Sequence, residues 1–264
     1  MTKVALIGLP SDANSSFLRG AAKAPALVRA ILHSDSGNAA TELGGAIGGD
    51  ISLNDRGDVV IDDNPADDDR ITAAVAAALA AGEAPILIGG DHAVTWPVLR
   101  AIAAHHGPVS ILHIDAHPDL YDELLGNRRS HASPFARIME AGLATRLVQV
   151  GIRTLNDHQR AQAARFGVEI VPLRGFRVED VPIPAGPLYV SIDLDGLDPA
   201  FAPGVSHHEP GGLSVRELID LLARIPGPIV GGDVVEFNPD RDVGGITAAV
   251  AAKLVRELAA LAAR

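Results

Sequence analysis

Short apolar runs and longer alanine-rich stretches alternate along the whole of this 264-residue chain. Strand-length runs lie at 3–9 (KVALIGL), 58–62 (DVVID), 85–90 (PILIGG), 109–115 (VSILHID), 146–151 (RLVQVG), 168–173 (VEIVPL), 188–195 (LYVSIDLD) and 228–236 (PIVGGDVVE). Most are too short for helices and rich in Val and Ile, which predicts strands. Helical periodicity runs instead over 71–81, 95–106, 155–166, 215–225 and 246–263. This alternation predicts an α/β fold of three layers, with helices on both faces of a central, mostly parallel sheet. No repeat and no break in composition marks a linker, so a single domain over 1–264 is expected.

Composition narrows the function classes. Only 3% of residues are aromatic, so the core must be filled mainly by Ala, Val, Leu and Ile. A net charge of -11 argues against nucleic acid as a partner, because phosphate binding needs a basic face. The chain has no cysteine, which removes disulfide and thiolate chemistry. Its first residues, MTKVALIGLP, lack a signal-peptide pattern, and no run reaches the roughly 18 apolar residues of a membrane span. A cytoplasmic protein without a membrane partner is the expectation. The acidic run DDNPADDD (62–69) precedes a predicted helix and reads as a solvated loop with favourable charge at a helix N-terminus.

Charged residues at four strand ends change this picture. The run at 85–90 leads into Asp91 and His92, and the run at 109–115 into Asp115, His117 and Asp119. The run at 188–195 ends on Asp193 and Asp195, and that at 228–236 on Glu236. In open α/β sheets the ligand site forms at the carboxyl ends of the strands, so these tips are expected to converge. Residues two apart in extended chain point the same way, which lets Asp115, His117 and Asp119 face one cavity, with Asp193 and Asp195 beside them and His92 from another strand. Two imidazoles and four carboxylates form a hard N/O set without sulfur, suited to manganese or a similar divalent ion. Four carboxylate charges balance two divalent ions, leaving a bridging hydroxide as nucleophile; a single ion would leave a buried excess of negative charge.

The segments GGDHAV (89–94), DAHPD (115–119) and SIDLDGLDPAFAPG (191–204) resemble the three signature motifs of the ureohydrolases, the arginase and agmatinase family. LRGAAKAPALVRAI (18–31) is similar to that family's N-terminal segment and DVVEFNP (233–239) to its final motif. The resemblance implies an arginase-like domain with an eight-stranded sheet, two Mn2+ ions, hydrolysis of a guanidino or amidine-type carbon, and assembly as a homo-oligomer, trimer or hexamer. Carried over by residue, it implies that His92 and Asp119 hold one ion and His117 and Asp195 the other, with Asp115 and Asp193 bridging. Glu236 would accept hydrogen bonds from a guanidinium, and His131 in RRSHASPF would be the acid that helps the amine leave. Asp91 and His113 are expected to support the ligands, and Asp198 to close a turn.

The loop at 121–135 is expected to form the rim that reads the far end of the substrate, with Asn127 among its contacts. Its portion SHASPFARIMEAG (130–142) looks more like agmatinases than arginases. Where both carry a small Thr-Gly-Thr-Pro run, this chain has VSHHEPGG (205–212), which puts His207 near the guanidinium. A cationic imidazole there would narrow the pocket or repel a cation. The loop makes agmatinase-like hydrolysis with release of urea and an amine the expectation, while His207 points away from both agmatine and arginine and leaves open a formimino compound or a guanidino acid whose carboxylate pairs with an imidazolium. The alternatives are an arginase, a guanidino-acid hydrolase, a formiminoglutamase, a mononuclear zinc deacetylase-like enzyme, or a non-catalytic metal-binding relative.

Overall fold

The computed structural model describes residues 3–35 and 37–264. Eight strands form one sheet: β1 (Lys3–Gly8), β2 (Ser52–Asp58), β3 (Glu83–Ile88), β4 (Val109–Ile114), β5 (Ala144–Val150), β6 (Glu169–Val171), β7 (Leu188–Asp193) and β8 (Gly231–Val235). Their order is β2-β1-β3-β8-β7-β4-β5-β6, and every pairing is parallel. Among the described residues seven α-helices cover it: α1 (Ala24–Leu32), α2 (Asp67–Ala80), α3 (Thr95–His106), α4 (Pro134–Glu140), α5 (Asp157–Phe166), α6 (Val215–Ala223) and α7 (Ile246–Ala263).

Two apolar cores, one on each face of the sheet, make the three layers. Val4, Leu6, Leu112, Ile114, Val190 and Ile192 pack with residues of α1, α6 and α7. The alternate positions Ala5, Ile7, Ile111 and Tyr189 pack with α2, α3, α4 and α5. Strand residues thus bury both faces, which is why the runs read as continuously apolar. Helix ends follow local chemistry: Ser214 and Glu217 form a capping box at α6, and Asn156 caps α5 by accepting from the backbone of Gln159.

One predicted strand is displaced. DVVID at 58–62 overlaps the strand only at Asp58, the rest following it, and Val60 is 68% exposed. The edge strand is the polar segment SLNDRGD, held by pairing with β1 and by Arg29, which bonds both Asp55 and Asp58. An edge strand that buries little of either face leaves no hydrophobic pattern to read. Helices α1 and α4 were not read from the periodicity either. No helix among the described residues is long and apolar enough to cross a membrane.

Candidate metal centre

Strands β3, β8, β7 and β4 are consecutive neighbours at the centre of the sheet, and they are the four whose ends carry Asp91 and His92, Glu236, Asp193 and Asp195, and Asp115 to Asp119. Parallel pairing sets those ends side by side. Close packing of the turns depends on glycine: a Cβ on Gly196 would sit 2.9 Å from the backbone nitrogen of Asp115, and one on Gly90 would collide with the Ser11 carbonyl. Asp119 (φ 49°) and Glu236 (φ 63°) both adopt left-handed backbone, which non-glycine residues rarely do outside constrained sites.

His92 is fully buried, and its Nδ1 lies 3.3 Å from Asp115, 3.1 Å from Asp119 and 3.2 Å from Asp193. That nitrogen has no hydrogen-bond partner of proper geometry. The opposite nitrogen, Nε2, stands 2.9 Å from Ser191 Oγ, and the Ser191 hydroxyl donates to Asp233 at 2.6 Å. Tyr189 and Thr95 hydroxyls also donate to Asp233, both at 2.8 Å. With its proton committed to Asp233, Ser191 accepts from Nε2–H, which leaves the Nδ1 lone pair facing three carboxylates. An orphaned imidazole nitrogen inside a carboxylate ring is the arrangement a divalent cation satisfies.

A second group lies beside the first. His117 Nδ1 is 3.1 Å from Asp195 and 3.4 Å from Asp115. Asp115 turns Oδ2 toward His92 and Oδ1 toward His117, and so belongs to both groups. Residues 115, 117 and 195 could hold an ion together, as could 92, 113 and 115. His113 is better described as a support: Gln149 Nε2 donates to its Nδ1 at 3.0 Å, so His113 Nε2–H donates to Asp115 at 2.9 Å. Burial pushes His113 down to about 4, which keeps it a neutral donor.

Crowded carboxylates cannot all ionise without cations. Burial and the charge of Asp115 push Asp119 up to about 6. Burial takes Asp195 to about 6 as well, against the pull of His117, and holds Asp193 well above the carboxylate range, helped by the charges of Asp195 and Asp115. Asp115 is the exception: burial resists its ionisation, but hydrogen bonds from His113, His117 and His92 hold it well below the usual range.

The six predicted ligand residues line or underlie one pocket, a cavity of about 140 Å³ to which Ser16, Tyr121, Leu124, Gln159, His207 and Glu236 also contribute. Glu236 accepts from the His92 backbone and pairs with His131 Nδ1, both at 2.9 Å, while His131 Nε2 meets Ser16 Oγ at 2.9 Å. Burial opposes protonation of His131, but Glu236 outweighs it and raises the imidazole to about 9. Asp91 takes the supporting place expected of it, accepting from the backbones of Asn14 and Ala93. Asp198 closes its turn by accepting from Ala200, Gly211 and Gly212.

Two expectations about the rim change. Asn127 does not reach this pocket: its side chain bonds Asn14 and the Arg129 backbone, and it lines a separate cavity of about 420 Å³. The tight turn pairing residues 124 and 127 folds it away. His207 does line the pocket, packed between Phe17 and His131 at ring distances of 5.6 and 5.3 Å. Burial, joined by the charge of His131, lowers its pKa from the ordinary histidine value, so it is a neutral imidazole at pH 7 and does not repel a guanidinium. Ser16, Ser191, Asp233 and Gln149 were missed, because nothing in the local sequence separates them from ordinary core or turn residues.

Comparison with known proteins agrees with the fold and the motifs. The Arginase family profile matches residues 2–260. Arginase 1, mitochondrial, of Arabidopsis thaliana is 50% identical over 97% of this chain and 80% of its own length. The mitochondrial agmatinase of Gallus gallus is 36% identical over 96% of this chain and 79% of its own. The structure of the arginase from Medicago truncatula superposes with a TM-score of 0.93 at 44% identity, covering 99% of this chain and 87% of that one. The lean toward agmatinase drawn from residues 130–142 is thus not the direction the identities take; that loop is too short a sample to outweigh the whole chain. A match of this extent, on a sheet whose central strand ends gather the motif residues, makes this chain an amidinohydrolase of the arginase family.

Proposed function

We propose that this chain hydrolyses the guanidino group of arginine, releasing urea, with two manganese ions held by His92, Asp115, His117, Asp119, Asp193 and Asp195. The observation that carries the reading is His92 Nδ1, buried, unpartnered and ringed by three carboxylates. Similarity to arginases, stronger than to an agmatinase, supports arginine over its decarboxylated analogue. The N/O donor set supports manganese. Bound there, the ions supply activation of water at neutral pH.

The protein's own groups do the rest. Glu236, ionised and anchored by the His92 backbone, offers a carboxylate to a planar guanidinium. Its lowered pKa, set by His131 against the effect of burial, keeps it charged. His131 carries a proton at pH 7 and delivers it to the departing amine through Nδ1 or Nε2. His207 bounds the cavity as a neutral ring, which does not oppose a cationic substrate.

The test is urea release by the manganese-reconstituted protein on arginine, agmatine and short guanidino acids. Arginine is expected to give the highest kcat/KM. A higher value for agmatine or a guanidino acid overturns the substrate, and no urea from any of them overturns the activity.

A further inference from the structure

The two imidazoles of the centre are supported differently. His92 has its outer nitrogen sealed in the core by Ser191 and Asp233. His117 is partly exposed, and its Nε2 faces outward, 3.6 Å from Oε1 of Glu209. Glu209 lies on the segment 205–212, the same segment that brings His207 to the pocket. Among the described residues its carboxylate makes no hydrogen bond, and His117 is its one ion-pair partner.

This segment is held firmly. Val205 bridges to Phe237, the Ser206 hydroxyl donates to the Leu18 carbonyl at 2.7 Å, and Gly211 and Gly212 donate to Asp198. Arg153 fastens the middle. Its guanidinium donates to the Glu209 carbonyl at 2.9 and 2.5 Å and, on its other side, to the carbonyls of Asp195 at 2.6 Å and Gly196 at 3.3 Å. One side chain therefore fixes the backbone of Glu209 relative to the strand end that carries Asp195. These part-buried guanidinium contacts hold the Glu209 backbone in place, and with it the distance between the Glu209 carboxylate and the outer face of His117.

We propose that Glu209 is a positioning residue for the metal centre, its carboxylate facing Nε2 of His117 as an ion-pair partner so that Nδ1 is turned toward Asp115 and Asp195. A metal-bound histidine is oriented and made more basic by a carboxylate on its other nitrogen. In consequence the segment that borders the pocket also holds a ligand imidazole, so the same loop serves pocket and metal. The inference rests on the metal-centre reading above.

Titration of the metal-stripped full-length protein with manganese chloride tests it. Glu209→Gln is expected to take up two ions but to hold the weaker one roughly 10- to 100-fold less tightly, with kcat on arginine recovering at saturating manganese. His207→Ala, two residues away on the same segment, is expected to raise KM and leave manganese affinity unchanged. Unchanged affinity in Glu209→Gln overturns the role of Glu209, as does an equal loss in His207→Ala, which would assign the effect to the segment and not the carboxylate. Uptake of fewer than two ions by the unaltered protein overturns the metal-centre reading itself.

Discussion

At the scale of single residues, the site divides into groups that face the ion positions and groups that face the substrate, and the division can be measured. Asp119 contributes an oxygen 3.1 Å from His92 Nδ1, whereas Glu236 bonds only the His92 backbone and His131. Asp119→Ala is expected to lower bound manganese, and Glu236→Gln to keep it while losing most turnover; metal analysis and urea assays on both variants check this. Equal metal loss would refute the division. These residues were legible because two aspartates and two histidines at the end of an apolar run have no place in a core. Ser191 and Asp233 were not, since their partners lie 99 and 42 positions away in sequence.

At the scale of elements, the arrangement depends on turns that leave β3, β4, β7 and β8 without room for side chains. Gly90 is the tightest: its Cα faces the Ser11 backbone, whose carbonyl also accepts from the Asp91 amide at 2.7 Å. Gly90→Ala must push the β3 turn away from Ser11 and displace His92. The expected cost is about 1–3 kcal/mol of stability, with weakened manganese binding, read by denaturant unfolding and metal titration. A variant as stable and as metal-rich as the unaltered protein would refute it. Buried parallel strands were readable as elements because both faces are apolar. Strand β2 was not, because a polar edge strand exists only through its partner.

At the scale of the whole molecule, cations decide how many charges the centre can hold. Without them Asp119 and Asp195 keep protons up to about pH 6, and Asp193 beyond it, whereas an unfolded chain loses them near the ordinary carboxylate value. The folded state then binds more protons than the unfolded one over that interval, so its stability falls as pH rises. His92 and His117, both raised by their carboxylate neighbours against the effect of burial, carry the same sign above the ordinary histidine value. Asp115, held low, is ionised throughout this range and adds no slope, while His113, neutral in the folded protein above about pH 4, opposes the fall up to the ordinary histidine value without outweighing the several carboxylates. The Tm of chelator-treated protein is expected to fall between about pH 5 and pH 7, and manganese to remove most of that fall; scanning calorimetry with and without the ion decides it.

The sequence alone determined that the chain is an α/β protein with charge gathered at four strand ends, because strand burial and side-chain alternation are local properties written in residue order. Strand adjacency was not local. Only the tertiary structure decided that β3, β8, β7 and β4 are neighbours, that Asn127 turns away, that His207 is neutral, and that Arg153 ties Glu209 to the Asp195 strand. Each of those depends on what surrounds a side chain after the chain has closed on itself, where burial and facing charge set its protonation and its partners.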